Sequence, residues 1–163
     1  MSLPDYLRCE LGAVFCGTAV GNRSFECGHY YAGRGNKFWR VLRDTGLIPV
    51  QLDPCRDAEI LNYGLGLTDL VKTHHGSDRS LPKGMLDPEG LAAKITRYQP
   101  RFLAFNGKTA AEAYLGNKLD YELQNHSIGR TRIFVLPSTS GAAGRYWDFG
   151  IWQRFAMLVR GEL

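Results

Sequence analysis

Apolar positions in this chain fall in short blocks, and the stretches between them carry a helical spacing. Gly12 to Gly17 (GAVFCG) is a continuous apolar run closed by glycine, which predicts a buried strand. Leu65 to Val71 (LGLTDLV) reads as extended. Arg101 to Phe105 (RFLAF) and Arg132 to Leu136 (RIFVL) read as two further strands, the last closed by Pro137 and the loop Ser138 to Gly144. Asn36 to Asp44 (NKFWRVLRD) predicts a helix with Asn36 as its N-cap and Gly46 as its stop. Asp87 to Tyr98 opens on Asp-Pro-Glu and continues as an amphipathic helix. Lys108 to Leu115 follows the Asn106-Gly107 turn as another helix, and Trp147 to Arg160 is the last.

Strands alternating with helices imply an α/β fold: a three-layer α/β/α sandwich around a mainly parallel sheet of about four strands. The 163 residues contain no internal repeat and no linker, so residues 1–163 are expected to form a single domain. Such sheets hold ligands in loops beyond the C-terminal ends of their strands. Three loops qualify: Thr18 to Gly35, Thr68 to His75, and Ser138 to Arg145.

Composition narrows the function classes. With 44% hydrophobic and 22% charged residues the chain resembles a soluble globular protein. No apolar run approaches the roughly 18 residues of a membrane helix. Asp5, Arg8 and Glu10 exclude a signal peptide from the first ten residues, so an intracellular location and no membrane partner are expected. A net charge of +4 is compatible with a polyanionic partner. Cys9, Cys16, Cys27 and Cys55 make no C-x-x-C pair and read as reduced thiols, mostly buried. His74 and His75 are adjacent and cannot form an i,i+4 metal pair. With Asp78 they read as a solvated loop, and neither a metal nor a cofactor is expected. Asp53, Asp57 and Glu59 read as surface acids.

The first loop carries the richest chemistry. Gly17-Thr18-Ala19-Val20-Gly21-Asn22 could aim backbone N–H groups at an anion, or could be a tight turn. Gly28 to Trp39 (GHYYAGRGNKFW) interleaves aromatic, glycine and basic residues. That mixture suits a pocket where a flat base stacks on a ring while phosphates meet Arg or Lys. It suits equally a loop whose tyrosines pack on the core. Pro137 to Gly141 (PSTSG) offers hydroxyls and amides to a phosphate, or simply connects two elements.

Four segments in order resemble the mismatch-specific uracil/thymine branch of the uracil-DNA glycosylase superfamily. They are GHYYAGRGNKFWRVLRDTGL (Gly28 to Leu47), NYGLGLTDLVKTHHGS (Asn62 to Ser77), YQPRFLAFNGKTAAEAY (Tyr98 to Tyr114) and VLPSTSG (Val135 to Gly141). The resemblance runs from about Phe15 to Arg145. It implies a monomeric DNA-repair enzyme that flips a deaminated base, uracil first, from the duplex and hydrolyses its N-glycosidic bond. The bond breaks toward an oxocarbenium-like sugar, and preorganised N–H groups stabilise the departing base. On this resemblance Tyr31 stacks on the flipped base, Thr18 presents its backbone N–H to a base carbonyl, and Asp69 faces the pocket. Ser138, Thr139 and Ser140 grip the nucleotide's phosphate, and Gly141 to Arg145 form the wedge that fills the vacated stack.

The first motif departs from the family's G-I-N-P-G. Ala19 stands where that family has the Asn that positions water. Two replacements are open. Asp69 could hold the water or accept a hydrogen bond from the base, or could make only a structural bond near a strand end. Asn36 could act as it does in a hypoxanthine-directed branch with a similar YYA…N-x-F-W segment, or could only cap a helix. Asn22 is a third candidate. If none serves, the chain is a non-catalytic module that binds damaged or abasic DNA.

Overall fold

In the computed structural model of the chain, residues 3–72, 75–76 and 84–163 are described. His74 and Asp78 lie outside them. Five strands form one sheet: β1 (Ala13–Gly17), β2 (Leu65–Asp69), β3 (Phe102–Asn106), β4 (Glu122–Ile128) and β5 (Thr131–Leu136). Their order is β2-β1-β3-β5-β4. The first four positions are mutually parallel, and β4 closes one edge antiparallel to β5. The sequence pattern leads to the four parallel strands but misses β4. As an edge strand it is mostly exposed, so ELQNHSI never shows an apolar run.

The helices are α1 (Asn22–Cys27), α2 (Phe38–Asp44), α3 (Pro88–Tyr98), α4 (Lys108–Leu115) and α5 (Phe149–Val159). Two 3-10 segments, Pro54–Tyr63 and Gly141–Tyr146, complete the described elements. Asp87 caps α3 by accepting from Gly90 N at 2.9 Å, as its Asp-Pro-Glu opening implies. Helix α1 lies inside a segment predicted as loop, because six residues with one large apolar side chain carry no periodicity.

Successive strand residues point to opposite faces, so the sheet builds two cores. Phe15, Ala104 and Phe134 join Phe38, Trp39, Trp152 and Phe155 beneath α2 and α5. Val14, Cys16, Leu103, Phe105, Ile133 and Val135 join Leu91, Ile95, Ala110 and Ala111 beneath α3 and α4. This is the expected three-layer sandwich. The free edge of β2 is covered by the N-terminal segment: Tyr6 and Leu67 exchange both backbone bonds, at 2.9 and 3.0 Å. Among the described residues no helix is long and apolar enough to cross a membrane.

The thiols depart from their expected burial, since Cys16 is buried but Cys9, Cys27 and Cys55 are exposed, and one acid departs as well. Asp57 is 1% exposed, not a surface residue. Its carboxylate accepts from Tyr30 N at 2.8 Å and from the Tyr6 hydroxyl at 3.3 Å, and lies 3.2 Å from His29 Nδ1. These partners come from distant parts of the chain, which a local polar pattern cannot reveal.

Candidate active site

The parallel strands all end on the same side of the sheet, and the register aligns their last residues. Gly17 of β1 pairs with Asp69 of β2, and Asn106 of β3 pairs with Leu136 of β5. Because Gly17 has no side chain, room for a methyl group is left beside it. A Cβ built there would lie 3.5 Å from Asp69 Oδ1 and 3.7 Å from the Tyr31 hydroxyl. A carboxylate oxygen and a phenol therefore converge over one strand-end glycine.

Tyr31 is held there by an unusual backbone. Its φ is +53°, a left-handed conformation that a bulky residue adopts at a cost of about 1–3 kcal/mol. The neighbouring groups fix it. Tyr30 N donates to Asp57, the Tyr30 carbonyl accepts from Trp39 Nε1 at 3.0 Å, and Ala32 N donates to Ser24 Oγ at 2.9 Å. One face of the Tyr31 ring stacks on Phe38, centroids 4.0 Å apart and 24° from parallel. Its hydroxyl is buried, with the Asn106 side chain as a neighbouring polar group. Burial, then the charge of Asp69, pushes its pKa upward, so it stays protonated and able to donate.

Asp69 is 5% exposed. Burial raises its pKa from the ordinary carboxylate value to about 6; Lys72 opposes the rise and Asp5 adds to it. Lys72 Nζ lies 3.1 Å from Asp69 Oδ2, which leaves Oδ1 as the oxygen over Gly17. Above pH 6 the site thus presents an ionised acceptor beside a neutral hydroxyl donor.

The loop after β5 borders this space. Asn106 Nδ2 donates to Thr139 Oγ1 at 2.9 Å, and Thr139 N donates to Asn106 Oδ1 at 3.0 Å. The Thr139 carbonyl accepts from Lys37 N at 2.9 Å. Thr139 is fully buried. Its polar groups serve to tie β3, the β5 loop and the start of α2 together. Ser138 and Ser140 remain half-buried on that loop; Ser138 Oγ accepts from Ser140 N at 3.2 Å, and Ser140 Oγ caps the 3-10 segment through Ala142 N at 3.3 Å. Gly141 sits against Gly35: a Cβ on Gly141 would lie 3.2 Å from the Gly35 carbonyl oxygen. Arg145 is exposed on the 3-10 segment.

Thr18 is buried next to Gly17, its carbonyl accepting from Val71 N at 2.7 Å. Ala19 packs on the apolar cluster beneath α3 and α4. Asn36 Oδ1 accepts from Phe38 N at 3.0 Å in a turn ahead of α2, whose N-cap is Lys37 and not the expected Asn36. Asn22 is exposed on α1, where its Oδ1 lies 2.9 Å from His75 Nδ1. So Asp69, Tyr31 and Thr18 come together at the end of β1. Neither Asn36 nor Asn22 is held there by these bonds. Sequence reasoning missed Asn106, Lys72 and Asp57. For Asn106 a signal existed, since it directly follows the predicted strand Arg101 to Phe105 on the side where such sheets bind ligands.

Comparison with known proteins bears on what this arrangement does. Residues 4–156 match the family model of the uracil DNA glycosylase superfamily. The fold is similar to a solution NMR structure from Methanosarcina acetivorans, described there as a candidate uracil DNA glycosylase. The TM-score is 0.64 with 21% identity, covering 98% of this chain and 96% of that one.

Proposed function

The chain belongs to the uracil DNA glycosylase superfamily, and on that premise we propose that it is a monofunctional glycosylase that flips uracil from DNA and hydrolyses its bond to the sugar. The observation that carries the reading is the convergence of Asp69 Oδ1 and the Tyr31 hydroxyl over Gly17. A flipped base would rest against Tyr31, with Thr18 N–H toward a base carbonyl. The C1′–N bond breaks with its electron pair leaving on the base. A water oxygen then bonds to C1′, and the proton it loses balances the one taken up by the departed base anion, leaving an abasic site and the free base. The buried carboxylate of Asp69 can stabilise the cationic sugar and accept the hydrogen bond of water or of a base N–H. Ser138, Ser140 and Arg145 are the groups proposed to meet the backbone phosphates.

The test is base release from a labelled oligonucleotide carrying one uracil, single-stranded and opposite G or A, with hypoxanthine and thymine as parallel substrates. Uracil release is expected, weakening steeply with salt because phosphate contacts displace counterions. Its rate is expected to rise with pH through about 6 and level off, since ionisation of Asp69 increases over that range. Faster release of hypoxanthine would reassign the base. A second reading has its own observation: Ala19 packs into an apolar cluster and cannot hold water. Tight binding to abasic DNA without release of any base would establish that reading, a damage-binding module, and overturn the first.

Gly17→Ala probes the same space. The added methyl would meet Asp69 and Tyr31 at ordinary contact distances, so the fold should tolerate it. We expect an unchanged melting temperature within a few degrees and uracil release slowed by at least about tenfold, roughly 1.4 kcal/mol. Unimpaired release would place the reacting base elsewhere.

A further inference from the structure

The N-terminal segment does more than cover the edge of β2. Three consecutive residues reach groups around Asp69. The Leu3 carbonyl accepts from Lys72 Nζ at 3.1 Å, and the Pro4 carbonyl accepts from the Tyr30 hydroxyl at 3.0 Å. Asp5 Oδ1 lies 2.8 Å from Lys72 Nζ and accepts from the Thr68 hydroxyl at 2.7 Å, while its Oδ2 pairs with Lys94 at 2.7 Å. Lys72 also donates to the Tyr30 hydroxyl at 2.8 Å and pairs with Asp69 Oδ2 at 3.1 Å. An ammonium has three protons, and four oxygens of this protein already surround this one. Lys72 therefore has no proton to spare for a ligand, and its effect must pass through Asp69.

The geometry points to Lys72, tethered by the N-terminal segment through Asp5 and Leu3, as a positioning residue that engages one oxygen of Asp69 and leaves the other facing the space over Gly17. This rests on the reading that Asp69 takes part in base release. The arrangement also fixes the charge balance at the site. Among the described residues, the titratable groups around Asp69 are Lys72, Asp5 on the N-terminal segment, Tyr30 and Tyr31 before α2, and Cys16 on β1, with Lys94 of α3 paired to Asp5. Lys72 is the cation in contact with Asp69, and Asp5 is the neighbouring anion. Their removal should act in opposite directions.

The experiment compares the wild type with Lys72→Met, Lys72→Arg and Asp5→Asn. The Asp69 carboxyl is followed by carbon-13 NMR against pH, assigned by its disappearance in Asp69→Asn, and the pH profile of uracil release is recorded alongside. Lys72→Met is expected to raise the Asp69 midpoint by at least one pH unit, Asp5→Asn to lower it, and Lys72→Arg to restore it to near the wild-type value. The acid limb of the activity profile should follow each shift. Lost packing would not separate the two charge removals by sign. If Lys72→Met fails to fold, Lys72→Gln takes its place in the comparison, with the same expected shift. An unmoved midpoint in Lys72→Met, or shifts of the same sign in Lys72→Met and Asp5→Asn, would overturn the assignment. Opposite NMR shifts without any change in the activity profile would uphold the positioning by Lys72 and refute the part given to Asp69 in base release.

Discussion

Asp69→Ala is expected to slow uracil release in single-turnover assays by about 10²- to 10⁴-fold, the range for loss of one positioned acid or base. The companion variant Asp69→Asn separates two roles. If the carboxylate works by its charge, on water or on the cationic sugar, the amide fails with the alanine. If it only accepts a hydrogen bond from the base, the amide oxygen can do the same, and the loss stays under about tenfold. Stability should run the other way. Burial raises the pKa of Asp69 in the folded state from 3.8 to about 6, so the folded protein disfavours its charge. The resulting contribution to stability is fully present below pH 3.8 and is lost as pH rises through about 6. Calorimetry should therefore find Asp69→Asn at least as stable as the wild type at pH 7.5, with a smaller advantage at pH 5. A marked drop in melting temperature at pH 7.5 would mean that the pair with Lys72 outweighs burial and that Asp69 is there to hold the fold.

Asp57→Ala is expected to be the costliest single change for stability outside the apolar core. It would leave the buried Tyr30 N–H without its acceptor and strip partners from His29 and the Tyr6 hydroxyl. Unmatched buried polar groups cost about 1–3 kcal/mol each. A total loss of about 3 kcal/mol is expected, or a melting temperature lower by roughly 6–12 °C for a chain of this size. The same change frees the peptide before Tyr31, so release of uracil should fall even at temperatures where the variant is folded. A melting temperature within two degrees of the wild type would show that this loop is held chiefly by Ser24 and Trp39.

Which features the sequence reveals follows from which interactions are local. β1, β2, β3 and β5 are buried on both faces and write their position as apolar runs. β4 is an exposed edge and writes nothing. Asp69 could be found because it ends a strand beside a glycine-rich loop. Its orientation could not, because it depends on Lys72 and on Asp5, 64 positions away in sequence by subtraction of their numbers. Asn36 carries both a motif and an expected cap in one residue, and the structure puts the N-cap one position later, at Lys37. Thr139 looks like its serine neighbours in sequence, and only its bonds to Asn106 reveal that it faces inward. Asp57 sits in a polar stretch after Pro54, and its burial is decided by a tyrosine amide from another part of the chain.

The glycine-to-glycine contact between residues 35 and 141 has a bearing on heredity. Two loops that border the site touch there through bare backbone, with 3.2 Å between one carbonyl and the place a methyl would occupy. A side chain acquired at position 141 would push the segment carrying Tyr31 and Asn36 away from the serines. A drifting lineage can keep both glycines, or it can alter both loops together. In descendants of this chain, the two positions should thus be inherited as a unit.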